Sequence, residues 1–290
     1  MAFLDEITAV VVNYNSGQII DNCLRRVGTL KETIVVDNAS QDNSLAAIER
    51  DYPKAIIVRN DQNLGFGGGV NRGLEKVTTP YLLTISPDAE VEIDVLQKMY
   101  EAIEGDPQMA VVNPALEVPG RGDEMWVMGP GEMNHRSADF TAEGAFCTWF
   151  SSAAVALYRT EALRKINGFD ENIFLYNEDL DLSLRFTEAK FTMVTLPDVT
   201  ARHINSGSAQ PSVKLHWRKS WNFSWGHMYV IRKHVGRFPA VAQALKIIVT
   251  KAPKALLYIL TFDRKRMVRD GGTTMGAVSF LLGRSPNPRD

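Results

Sequence analysis

A unit of strand, polar turn and helix recurs through the first part of the sequence, and few architectures accommodate it. Ile7–Val12 is a β-branched run that ends in Asn13-Tyr14-Asn15-Ser16, and Ile19, Ile20, Cys23, Leu24 and Val27 follow at helical spacing. Ile34–Val36 ends in Asp37-Asn38-Ala39-Ser40 and leads to Leu45, Ala46 and Ile48; Ala55–Val58 reads as a third strand. Strands alternating with helices at this interval predict a parallel sheet with crossover helices. Such sheets bind ligands beyond the carboxyl ends of their strands, and Asn13, Asn15, Asp37 and Asn38 all fall there. A fourth strand, Tyr81–Ile85, ends in Ser86-Pro87-Asp88-Ala89. An aspartate just past a central strand is a favoured ligand for a divalent cation, although Pro-Asp is also a common turn.

Between the third and fourth strands, NDQNLGFGGGVNRGLEKV holds five glycines from Gly65 to Gly73. The dinucleotide fingerprint GxGxxG fails at every register, because its third glycine falls on Val70 or Arg72, and no P-loop lysine pattern is present. An NAD-dependent oxidoreductase is therefore disfavoured. The glycines let backbone pass close to a ligand and to the neighbouring strand, and they introduce a helix whose free amides can face a phosphate. A glycine-rich loop without a ligand is the plainer reading. Asn71 and Arg72 are the polar groups best placed to serve a bound sugar nucleotide.

Further along, Asp94 reads as the N-cap of a helix over Val95–Glu104, and Met109–Leu116 as a strand. Residues 118–146 have no clear period and are read as an acceptor-side loop, with Trp126 and His135 as candidate sugar contacts or plain exposed loop residues. CTWFSSAAVALYR reads as a buried strand that contributes Trp149 as a second acceptor candidate, and Thr160 reads as the cap of a helix over Glu161–Ile166 closed by Asn167-Gly168. The stretch Asn172–His203 then places Glu178-Asp179 at the opening of a helical pattern and His203 at the end of the strand-like segment after it. An acidic pair there ordinarily just complements the helix dipole. This one follows a nucleotide-binding sort of half-domain, so Asp179 is read as a catalytic base and Glu178 as the runner-up. Asp181 and Arg185 are spaced as a solvated i,i+4 ion pair.

The net charge of −2 conceals a division: residues 212–290 carry 15 Lys and Arg against 3 Asp, a net +12, so residues 1–211 carry −14. A basic tail on an acidic body is expected to face an anionic surface. Trp217, Trp221 and Trp225 recur every four residues and share one helical face; Leu245, Ile248, Leu256, Leu257 and Leu260 form apolar stripes flanked by Lys. That pattern suits a membrane interface, or packing on the catalytic domain or on a second subunit, which leaves a homo-oligomer open. Nucleic acid is disfavoured, since the stripes are too apolar and no recognition motif is present. Cys23 and Cys147 sit in apolar contexts without metal-ligand spacing and are read as core thiols of a reducing compartment. Neither a signal peptide nor an uncharged apolar run of about 18 residues is found. A cytoplasmic protein, peripheral on the inner face of the cytoplasmic membrane, is expected.

VVVNYNS, VVDNAS, NLGFGGGVNRG, the strand-end SPDA and GFDENIFLYNEDLDLSLR, spread over roughly residues 5–210, resemble the inverting family-2 glycosyltransferases of the GT-A fold. Within them they look most like the bacterial rhamnosyltransferases that build cell-surface polysaccharide. The resemblance implies an α/β fold with a mostly parallel central sheet flanked by helices and a C-terminal helical appendage. It implies a catalytic domain over 1–211, with a nucleotide-sugar half (1–116) and an acceptor half (117–211), before a basic amphipathic region over 212–290. By position, Asn13, Asn15 and Asp37 would hold the base and ribose, and Asn63, Asn71 and Arg72 would approach the diphosphate and sugar. Ser86 would line the same site where the family's Asp-x-Asp element has its first acid, leaving Asp88 and the distal His203 to hold Mg²⁺ or Mn²⁺. Asp179 would deprotonate a hydroxyl of a glycan or lipid-linked acceptor as it displaces the diphosphate, with dTDP-rhamnose the first choice of donor. The alternatives are a UDP-linked hexose, GlcNAc or galactofuranose as donor sugar, and a non-catalytic nucleotide-sugar-binding scaffold.

Overall fold

The computed structural model describes residues 2–119, 122–124, 142–204 and 212–285. The chain divides into two compact units: Met1–Leu64, Gly68–Phe169 and Leu182–Ser208 form the first, and Gly65–Gly67, Asp170–Asp181 and Ala209–Asp290 the second.

After a short 3-10 turn, the chain runs β1 (Ile7–Asn13), α1 (Ile19–Val27), β2 (Glu32–Asp37), α2 (Ser44–Asp51), β3 (Ile56–Arg59), α3 (Gly65–Leu74), β4 (Tyr81–Ile85) and β5 (Ala89–Glu90). It continues through α4 (Ile93–Glu104), β6 (Met109–Val118), β7 (Gly122–Glu124), β8 (Phe146–Cys147), β9 (Val155–Arg159), α5 (Thr160–Lys165), α6 (Glu178–Glu188) and β10 (Thr192–His203). All ten strands join one sheet, in the order β3-β2-β1-β4-β9-β6-β10-β5, with β7 beside β6 and β8 beside β10. The expected parallel arrangement holds across β3-β2-β1-β4. Beyond β4 the sheet is mixed, because β9 runs antiparallel to both β4 and β6 while β10 returns parallel to β6. Every residue of β1 is buried, which is why the strand reads as an unbroken apolar run rather than an alternation.

The glycine-rich stretch is itself the body of α3 rather than a loop ahead of it. A Cβ at Gly73 would stand 2.4 Å from Val10 Cγ1, and one at Gly69 would stand 2.7 Å from Val12 Cγ1. The helix thus lies on β1 at a distance that no larger residue permits.

Four local expectations change. The segment CTWFSSAAVALYR is not one strand: β8 and β9 flank an irregular stretch in which Asn113 Nδ2 donates to Ser152 O and Val155 O, both at 2.8 Å. A side chain there satisfies carbonyls that a ladder would otherwise take. Cys23 is buried as expected, with its thiol pushed well above the ordinary range by burial and by the Asp88 and Glu90 charges. Cys147 is exposed and is not a core thiol. Helix α4 starts at Ile93 behind Glu92, so Asp94 lies inside it; α5 starts at Thr160 itself, behind Arg159.

The second unit contains α7 (Val213–His234), α8 (Arg237–Leu260) and α9 (Arg264–Leu281), and α9 packs on both α7 and α8. Gly272 and Gly276 bring α9 against the α7 backbone: a Cβ on either would lie 2.8 Å from Trp217 O or 2.4 Å from Trp221 O. Trp221 and Trp225 are buried, Trp225 Nε1 donates to Arg284 O at 2.9 Å, and Trp217 covers Gly271. The tryptophan row is therefore a packing face, not the exposed interfacial face that its basic neighbours suggest.

Gly73→Ala forces Val10 to move in a filled core and is expected to destabilise the protein by about 1–3 kcal/mol, read as a lower urea midpoint at unchanged slope.

Candidate active site

In the first unit the ends of β1 and β2 are locked together. Asn13 and Asp37 are register partners, both buried. Asn13 Nδ2 donates to Asp37 Oδ1 (2.8 Å), Ser44 Oγ (3.0 Å) and Ser40 Oγ (3.2 Å), while its Oδ1 accepts from Ser16 Oγ. With both ends of its amide engaged inside the protein, Asn13 organises the strand ends. Asp37 Oδ2 accepts from Ser40 N at 3.1 Å. Asn15, in the left-handed region at φ 50°, accepts from Gln41 N at 2.7 Å and ties the two strand-end loops together.

Sheet register also builds the second cluster. Asp88 immediately precedes β5, whose Ala89 pairs with His203 at the end of β10. Asp88 Oδ1 and His203 Nε2 stand 3.3 Å apart, both side chains largely shielded. Ser86 lies at the start of the same turn, its N–H donating to Ala154 O at 2.8 Å. No group of three or more metal-ligating side chains occurs among the described residues. One carboxylate and one imidazole at this separation fit a Mg²⁺ or Mn²⁺ ion that takes its remaining ligands from diphosphate oxygens and water.

The structure does not bring Asn71 and Arg72 to these clusters. Asn71 clamps the left-handed Asn167-Gly168 turn through Phe169, donating to its O (2.9 Å) and accepting from its N (2.8 Å). Arg72 is exposed near the far end of α3 and paired with Glu75 at 3.2 Å. Asn63 is half-buried just before α3. Trp149 is exposed in the irregular stretch after β8. Trp126 and His135 lie outside the described residues.

In the second unit, Glu178 and Asp179 open α6 as expected. They are launched by two consecutive left-handed residues, Tyr176 (φ 67°) and Asn177 (φ 70°), a conformation that costs side-chain-bearing residues about 1–3 kcal/mol each. Helix α7 holds it: Asn177 Nδ2 donates to Phe223 O at 3.1 Å, and Gly226 leaves room for Tyr176 O, which would be 2.9 Å from a Cβ there. Asp181 is wholly buried and paired with Lys233 Nζ (2.7 Å) and His234 Nε2 (2.8 Å), so it is no solvated surface group. Lys233 also reaches Asp170 at 2.7 Å, and Tyr229 OH donates to Asp170 at 3.0 Å. Burial alone would raise the Asp170 carboxyl; the Lys233 ammonium and the Asn172 N–H groups outweigh it and hold the group below the usual carboxylate range. Sequence reasoning missed Asp170, Gly226, Lys233 and His234, none of which carries a local pattern that points to the turn before α6.

The pair itself is asymmetric. Glu178 is buried, while Asp179 is half-buried. Burial first, and then the Asp179 charge, push the Glu178 carboxyl up to about 8. The protonated form of Glu178 is thereby favoured.

Solved structures place this architecture. The mannosyltransferase PcManGT from Pyrobaculum calidifontis, solved with GDP-Man and Mn²⁺, superposes with a TM-score of 0.60 at 18% identity over 97% of this chain and 88% of that one. GalNAc-T7, solved with UDP, GalNAc and Mn²⁺, gives 0.56 at 14% identity over 80% of this chain and 54% of that one. The fold is that of the GT-A glycosyltransferases. The family described as "Glycosyl transferase family 2" matches residues 8–166. That is more than half of the chain, and the protein belongs to this family of glycosyltransferases. The N-acetylglucosaminyl-diphospho-decaprenol L-rhamnosyltransferase of Mycobacterium tuberculosis is 22% identical over 234 residues, covering 69% of this chain and 76% of the relative.

The elevated Glu178 carboxyl has a definite consequence for pH. Its protonated form is favoured by the fold, so the associated stability is complete below about 4.5 and is lost as pH rises through about 8. Glu178→Gln, which mimics the protonated acid, is expected to flatten that decline. Chemical denaturation of both proteins from mildly acidic to mildly alkaline pH measures it.

Proposed function

We propose that this glycosyltransferase works with inversion, moving L-rhamnose from dTDP-rhamnose to a hydroxyl of a glycan or lipid-linked acceptor in cell-surface polysaccharide synthesis. The observation that carries the mechanism is the acidic pair at the opening of α6, with Glu178 buried and Asp179 half-buried beside it. The sugar is taken from the Mycobacterium tuberculosis relative, whose name specifies L-rhamnosyl transfer.

Asp179 accepts the acceptor hydroxyl proton while the hydroxyl oxygen forms its bond to the anomeric carbon. The bond from that carbon to the diphosphate oxygen breaks, and its electron pair leaves with the diphosphate. A single ionised carboxylate suffices, because no covalent sugar intermediate forms. Glu178, kept neutral by burial, adds no second negative charge to repel Asp179 and can donate a hydrogen bond. Asp37, supported from below by Asn13, accepts an N–H of the pyrimidine base, with Asn15 and Asn63 beside it. Ser86 lines the donor site. Asp88 and His203 would hold Mg²⁺ or Mn²⁺, which supplies positive charge against the leaving diphosphate when bound. The acceptor is met by Trp149 and Trp126, and the protein works as a peripheral protein on the inner face of the cytoplasmic membrane.

Thermal shift with dTDP, UDP and GDP, each with and without Mn²⁺, tests the donor side. A ligand at 100 times its dissociation constant adds about 2.7 kcal/mol, and metal-dependent stabilisation by dTDP that disappears in Asp88→Ala is expected. Stabilisation by GDP alone would remove the pyrimidine donor. On the chemical side, Asp179→Asn is expected to lower transfer about 10²–10⁴-fold while keeping donor binding, and Glu178→Gln to retain transfer at neutral pH.

A further inference from the structure

Helix α8 presents an apolar row that is exposed among the described residues. Phe238, Leu245, Val249, Leu256 and Leu260 follow at intervals of seven, four, seven and four residues, so they stack along one side of the helix. Their exposures are 87%, 51%, 71%, 65% and 76%, and Phe262 just past the helix end is 92% exposed. Buried Ala240 and Ala244 occupy the opposite side. Single exposed apolar residues are ordinary on a protein surface, but a contiguous row along a 24-residue helix, about 36 Å long, marks an interaction site.

The charges around the row choose the occupant. Helix α8 carries Arg237, Lys246, Lys251 and Lys254 and no acidic residue. Past Phe262, α9 opens with Arg264, Lys265 and Arg266, all exposed. A second copy packed row to row would set these cations against their own kind, with no carboxylate on α8 to answer them. A bilayer with anionic head groups answers them and takes the apolar row into its acyl boundary. Among the described residues no helix is long and apolar enough to cross a membrane, so the helix lies along the surface rather than through it.

We propose that α8 seats this protein on an anionic lipid surface, in the plane of the interface, with the Phe238–Phe262 row in the acyl boundary and the lysines among the head groups. The inference rests on the peripheral-membrane part of the proposed function and deepens it by naming the face that makes the contact, and it requires neither a particular donor nor a particular acceptor.

The test is co-sedimentation of the full chain with phosphatidylcholine vesicles, with and without phosphatidylglycerol. Binding is expected to the anionic vesicles only. It should weaken by about tenfold or more in Leu245→Glu/Leu256→Glu, and to a similar extent in Lys246→Glu/Lys254→Glu, given about fivefold for each lysine. Both pairs replace surface residues, so thermal melting should stay close to that of the parent. The proposal is overturned if the full chain stays in the supernatant with both vesicle types, or if the leucine variant binds as well as the parent. A dimer in sedimentation velocity that the leucine variant dissolves, without vesicle binding, would give the face to a second copy. Nucleotide-diphosphate thermal shift on the same proteins separates the two readings: a response to nucleotide without vesicle binding rejects only the membrane seat, and the reverse rejects only the transferase donor site.

Discussion

A carboxylate sealed from solvent stays ionised only if cations are set against it, and Asp181 is such a carboxylate. Lys233, in the last turn of α7, supplies such a cation and extends the same bridge to Asp170, and His234 Nε2 stands 2.8 Å from Asp181 Oδ1. One network therefore ties together the stretch before the acidic pair, the first turn of α6 and the end of α7. Taking one partner from a buried cluster of this kind leaves an uncompensated charge and costs about 3–5 kcal/mol. That margin lets the chain hold Tyr176 and Asn177 in a left-handed conformation that neither residue favours. The acidic pair is presented by strain, and the strain is maintained by buried charge.

The strand-end clusters of the first unit are set differently, by backbone register. Pairing of β1 with β2 puts Asn13 opposite Asp37, and pairing of β5 with β10 puts Asp88 beside His203. In both places the side chains meet because a ladder ends there, with no long-range charge needed to bring them together. The close approach of α3 to β1, which only glycine permits, completes the layer behind these strand ends.

These two modes of construction explain what could be read from the sequence. The strand ends were legible because the residue pattern changes from apolar to polar where a strand stops, and the position of Glu178-Asp179 was legible because a helical period begins there. The role of Asn71 was not, since its partner Phe169 lies 98 residues away and a turn clamp has no local pattern. Nor was the burial of Asp181, whose spacing to Arg185 imitates a surface ion pair. The tryptophan row of α7 shows the limit most plainly: a period of four says that Trp217, Trp221 and Trp225 share a face, and says nothing about what covers it. The answer sits in α9, where Gly271, Gly272 and Gly276 remove side chains opposite that row.

The glycine-lined contact between α9 and α7 bears on the order in which the protein can mature. Because α9 packs along α7, the helix that carries Gly226, Lys233 and His234 cannot complete its surroundings until α9 has left the ribosome. The sheet with its strand-end clusters is entirely encoded upstream, in residues up to His203. A nascent chain can thus assemble the sheet while the segment that opens α6 still lacks its full support, which arrives last, with the C-terminal helix.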